Sequence, residues 1–178
     1  MDAAADGAAL GLLQTVVIAV GAAAAGAAVV RLPGWTVRGV VLTICLATLA
    51  VDDLTGFHDR LRSFDAGWLP GPSSSAGLEA AAGFAVLLAL VFVLLWDDSR
   101  RATSDTRAVL RSGLMVLVLA VVIRAIAAYT DMDSSVQGNL RDWAIAVEQG
   151  VDLAGWTLVT WALVEIARTP KPRLQVVP

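Results

Sequence analysis

The sequence predicts an all-α, polytopic membrane helix bundle. Three observations predict it: hydrophobic residues make up 57% of the chain, charged residues only 16%, and the mean hydropathy is +0.72. Ordinary soluble domains run nearer about 45–50% apolar and about 25% charged. A chain this apolar has too little polar surface to cover a water-exposed fold. A helix of about 20 apolar residues crosses a hydrocarbon core of about 30 Å, and five stretches of that kind fall within the 178 residues as one transmembrane domain.

The first stretch, residues 8–30, runs from Ala8 to Val30 and follows Asp2 and Asp6 rather than a basic segment. It therefore reads as a retained helix and not as a cleaved secretory leader. Its Gly7-x3-Gly11 and Ala22-x3-Gly26 spacings suit close helix packing. The second stretch, residues 36–57, is apolar without interruption only from Gly39 to Val51, before Asp52 and Asp53. Residues 76–96 and 111–130 are the third and fourth, and the fourth carries Arg124 within it. The fifth, residues 143–167, contains Glu148, Asp152 and Glu165, so its polar side should turn away from lipid. Trp35, Trp96, Trp143 and Tyr129 fall at stretch ends, as an interfacial aromatic belt requires. Arg31-Leu-Pro-Gly-Trp35 and Pro70-Gly-Pro-Ser-Ser-Ser-Ala76 are turn-forming segments between stretches.

Orientation follows from basic residues, which are retained on the cytoplasmic side. Arg31, Arg38, Arg100, Arg101, Arg107, Arg111, Arg168, Lys171 and Arg173 fall on one side of a five-helix path, against Arg60, Arg62 and Arg141 on the other. The expected topology has the N-terminus outside and the C-terminus inside, in the cell membrane. A four-helix path, with the second stretch lying in the interface, breaks this alternation. Stretches two plus three and four plus five form two hairpins of similar length, a candidate internal repeat.

The embedded ionisable groups collect toward the outer side of this topology. Asp52 and Asp53 end the second stretch, Glu79 begins the third, and Arg124 lies about two turns before the end of the fourth. Glu148, Asp152 and Gly155 follow an i, i+4, i+7 spacing and share one helix face. Arg124 is expected to pair with Asp152, Glu148, Asp52 or Asp53, because a lone arginine within an apolar helix costs about 2.5–3.5 kcal/mol on insertion scales. Five carboxylates outnumber it, so protons, water or a bound cation must compensate the remainder. An ion- or proton-binding vestibule is one reading. The other puts the acids at headgroup level in water, with an Arg124–Asp152 pair fixing helix register. His58, the one histidine, could ligate a metal with Asp59 and Asp53, although one imidazole with carboxylates is a weak transition-metal set.

Several chemistries lack their residues. Cys45 is the only cysteine, which excludes a disulfide within one chain and a Cys-x-x-Cys redox pair. One histidine excludes bis-histidine haem ligation within one chain. Lys171, the one lysine, lies beyond the last apolar stretch, so no embedded amine can form a Schiff base. Glycine-rich phosphate and dinucleotide motifs are missing. The expectation is a small non-enzymatic structural, sensory or accessory subunit. The alternative is a proton- or cation-coupled transporter or channel component that uses the acid cluster with Arg124, and an enzyme acting on lipid or quinone comes third. No cofactor and no nucleic acid are expected; the partners are the lipid bilayer and a second copy or another membrane protein.

Overall fold

The computed structural model describes residues 3–32, 36–55, 74–100, 102–131 and 138–169. Among these, every regular element is an α-helix: α1 (Ala3–Arg31), α2 (Thr36–Thr55), α3 (Ser74–Ser99), α4 (Ser104–Asp131) and α5 (Gly138–Arg168). Each contains one of the expected apolar stretches, in whole or in large part. Three of them include segments long and apolar enough to cross a membrane: Ala9–Arg31, Ser104–Ile123 and Ala146–Arg168.

Most helix ends run past the apolar stretches because local hydrogen bonding continues into polar sequence. At the start of α4 the Thr103 hydroxyl accepts from the Thr106 backbone N–H at 3.4 Å, occupying one of the donors a helix N-terminus leaves open. Asp105 adds an acid in the first turn, favourable to the helix dipole. Arg111, expected at the beginning of the fourth stretch, consequently stands two turns inside a helix.

The five helices form a closed ring in chain order, with α5 returning to pack against α1. Cross-helix hydrogen bonds fix the directions. Gln14 reaches Asp152, Thr160 reaches the Val17 carbonyl and Arg31 reaches the Ala167 carbonyl, so numbering rises together and α1 and α5 are parallel. Thr15 meets Asp53 while Gly26 packs at Thr43, so α1 and α2 are antiparallel. Helix α3 is held most loosely, touching α2 and α4 only sparingly, whereas α4–α5, α5–α1 and α1–α2 are close seams.

Small residues set those close seams. A Cβ on Gly113 would fall 2.9 Å from Leu158 Cβ and 3.0 Å from the Val159 backbone nitrogen; one on Gly155 would fall 2.7 Å from Leu117 Cδ2. Neither position accepts a side chain without separating α4 from α5. Ala22, Ala25 and Ala28 are buried on α1, and Gly26 leaves room for Thr43 at ordinary contact distance. Of the two expected α1 spacings, Ala22-x3-Gly26 serves packing; Gly11 faces open space. Gly83 on α3, by contrast with Gly155, has nothing within 4 Å.

The core lies along the ring interior, where Leu42, Leu46, Leu95, Leu110, Leu114, Val159 and Leu163 are almost wholly buried. Large apolar side chains also cover the outside of every helix. Val16 and Val20 on α1, Val40 and Ile44 on α2, Val86 and Val93 on α3, Met115 and Leu119 on α4 and Trp161 on α5 are all exposed. Threonine hydroxyls on these faces bond back to the carbonyl four residues earlier, as at Thr48, Thr55 and Thr157. Their polar atoms are therefore satisfied within their own helix.

Candidate functional site

Inside the ring is a cavity of about 330 Å³ to which all five helices contribute. Its polar end is formed by Gln14 of α1, Asp52 and Asp53 of α2, and Glu148 and Asp152 of α5. The remaining wall is apolar and includes Leu49, Val91, Phe92, Leu114, Leu117 and Trp156. Four acids expected from the sequence to gather thus border one space. They come from the C-terminal turns of α2 and from successive turns on one face of α5, which the parallel α1 and the antiparallel α2 bring to a common level. Glu79 lies in α3 and Arg124 in α4, but both side chains, and so the expected Arg124 pairing, lie outside the described residues, as does His58.

The acids lie far along the bundle from its basic end. From Asp152 to Arg168 α5 rises about 24 Å, and α1 rises about as far from Thr15 to Arg31. The shorter α2 ends beside the middle of α1, which carries Asp53 well down the length of its longer neighbours. Glu148 stands one turn from Asp152, away from the basic end, and the buried Trp156 stands one turn toward it.

Two neutral side chains of α1 organise the acids. Gln14 Nε2 donates to Asp152 Oδ2 at 2.9 Å. The Thr15 hydroxyl lies 2.7 Å from Asp53 Oδ2 and 3.0 Å from the Gly11 carbonyl oxygen. A hydroxyl has one proton to give. Either the two acceptors share it, or Asp53 carries a proton and donates to Thr15 while Thr15 donates to Gly11. Among the described residues no three His, Cys, Asp or Glu side chains lie close enough together to hold a metal ion.

A second polar group, unforeseen from the sequence, occupies the basic end. Asp98 and Ser99, at the close of α3, are buried. The Ser99 hydroxyl donates to the Trp96 carbonyl at 2.6 Å and accepts from Arg111 Nε at 3.2 Å, while the Arg111 guanidinium covers the Trp96 ring at 4.9 Å. Arg107 donates to the carbonyls of Ser99, Arg100 and Ala102, closing the α3 C-terminus with a cation. Arg38 of α2 forms an ion pair with Asp97 of α3. Residues that read in the sequence as a positive-inside loop are also the structural clasp of the α3–α4 hairpin. The signal was available as Asp97-Asp98-Ser99 facing Arg107 and Arg111 across a short turn.

No protein-family model matches the chain, and no curated protein or solved structure matches it.

Proposed function

We propose that the chain is a five-span membrane protein, N-terminus outside and C-terminus inside, that binds an amphipathic organic cation in the ring cavity for transport or sensing. The cavity carries this reading: four carboxylates and an amide collect at one end of a space far larger than a bare ion, and aromatic and aliphatic side chains line the rest. A concave, largely apolar site with a few convergent polar groups is the usual form of a small-molecule site. The carboxylates supply the counter-charge, and the Trp156 ring offers a cation–π surface. Protonation of the acids would weaken the hold on a cation, which gives a route to proton-coupled release.

Membrane insertion of all five helices draws on the apolar outer faces of α2 and α3 as well as on the three strongest segments. The basic residues Arg31, Arg38, Arg100, Arg107, Arg111 and Arg168 all cluster at one end of the bundle, which supports the orientation. A second reading, an accessory subunit whose helices pack against a partner, draws on the loosely held α3.

Thermal stability of the purified protein in detergent or nanodiscs, with tetraphenylphosphonium, sodium, potassium, calcium or zinc and across pH, tests the proposal. A bound ligand at 100 times its Kd adds about 2.7 kcal/mol of stability. A saturable rise with the organic cation, lost in Asp152→Asn, is the expected result. A flat response to every cation, with Asp152→Asn folding normally, would instead favour the accessory-subunit reading.

A further inference from the structure

A second concavity lies outside the ring, between α2 and α3 at the basic end. It measures about 440 Å³ and is bordered by Arg38, Phe92, Val93, Trp96, Asp97 and Arg100. Three features distinguish it from the acid-lined cavity. Its rim is cationic: Arg38 is about half exposed (49%) and Arg100 is exposed, against the single carboxylate of Asp97. Its wall is firm, because Phe92 and Trp96 stack at 5.8 Å between centroids and Arg111 of α4 covers the Trp96 ring. Its apolar side continues onto the outer surface of α3 through Val93, which is 61% exposed. The opening exists because α2 and α3 touch sparingly, joined at this end by the Arg38–Asp97 pair.

We infer that this groove binds one anionic phospholipid. Its phosphate lies between the Arg38 and Arg100 guanidinium groups, and an acyl chain descends along Val93 and Phe92. Arginine is suited to phosphate because its planar fork donates in parallel. Basic pockets between spanning helices on the cytoplasmic side are suited to anionic headgroups. An arginine pair at the mouth of an apolar groove complements a molecule that is anionic at one end and hydrocarbon at the other; a free phosphate would use only the rim. The inference rests on the membrane-spanning reading but not on the cation cavity. Asp97 tunes the site by occupying part of the Arg38 fork.

The test is native mass spectrometry of the delipidated full chain titrated with phosphatidylglycerol or phosphatidylcholine. One phosphatidylglycerol should bind in clear preference to phosphatidylcholine. Each basic residue near an anionic lipid surface contributes about a five-fold effect, so Arg38→Gln with Arg100→Gln should cut that preference roughly 25-fold, while Arg168→Gln leaves it in place. Asp97→Asn should strengthen binding, an effect of opposite sign that decides the matter even if the double variant folds poorly. Equal binding of both lipids, an unchanged preference in the double variant, or weaker binding in Asp97→Asn would overturn the inference. Displacement by millimolar inorganic phosphate would overturn it in favour of a soluble anion. Alkaline extraction of cell membranes is run alongside: release of the chain into the supernatant would overturn both the spanning reading and the lipid site, whereas retention with no lipid preference would overturn the lipid site alone.

Discussion

Gln14 and Asp152, far apart in the chain, meet through a 2.9 Å hydrogen bond where the first and last helices run side by side. The contact joins a packing seam to the polar end of the central cavity, so substitutions on either side have separable effects. Gln14→Leu should lower stability by about 1–3 kcal/mol by removing a donor from a partly buried carboxylate. It should also weaken organic-cation binding less than Asp152→Asn does. Titration calorimetry beside thermal denaturation of the two variants separates these effects, and equal loss of binding would show that the amide is as necessary as the charge.

The α4–α5 crossing depends on two glycines. Gly155→Val or Gly113→Val forces a side chain against atoms that stand within about 3 Å of the added carbon, and overpacking of this kind costs about 1–3 kcal/mol or more. Gly83→Ala, with open space around it, should be nearly silent. Folded yield in detergent, read by size-exclusion chromatography for all three, checks the contrast.

At the α1–α5 seam, Thr160 donates to the Val17 carbonyl at 3.0 Å, and a Cβ on Gly21 would stand 2.8 Å from the same hydroxyl oxygen. Thr160→Val should cost about 0.5–1.5 kcal/mol through the lost bond. Gly21→Ala should displace that hydroxyl and cost a similar amount. Because both act on one contact, the double variant should be less destabilised than the sum of the two, a result that a double-mutant cycle of thermal midpoints reads directly.

Arg107 bonds to three carbonyls at the end of α3. Arg107→Ala should leave the ring assembled but open the α3–α4 turn. Hydrogen exchange should speed up locally near residues 99–103 while the α4–α5 seam keeps its protection. Global acceleration would mean that the clasp holds the whole bundle.

The proposed five-span topology predicts that a cysteine replacing the exposed Ser104, in a Cys45→Ala background, is labelled by a membrane-impermeant maleimide only after the cytoplasmic face is opened. Cys45 itself is buried, so its own replacement removes background without exposing a new surface. Labelling of Ser104→Cys in intact cells would invert the orientation.

The order of the five described helices was legible because each apolar stretch is long and bounded by polar or turn-forming residues. Helix ends were less so: Ser104 to Arg107 reads as a polar loop by composition, and only the Thr103 cap and the Arg107 clasp make it helical. The Glu148–Asp152 pairing was legible from the four-residue spacing. The depth of Asp53 was not, because it depends on where α2 stops against α1, a register that no local pattern encodes. Gln14 and Thr15 were illegible for a related reason. A single amide and hydroxyl in an apolar helix resemble tolerated polar residues until the acids opposite them are known. Asp98 was legible only through the pattern of an acid run facing two arginines across a short turn, since a charged run between stretches otherwise looks like solvent-exposed loop.

The parallel seam between α1 and α5 has a consequence for biogenesis. Synthesis delivers α1 well before α5, so the contacts between them wait until α5 has left the ribosome. Until then Gln14 and the small-residue face around Gly21 have no α5 to receive them, and α1 with α2 must persist as a half-assembled intermediate. Chains stalled before Asp152 would leave that face of α1 uncovered, a consequence of the order of synthesis rather than of any defect in the helices already made.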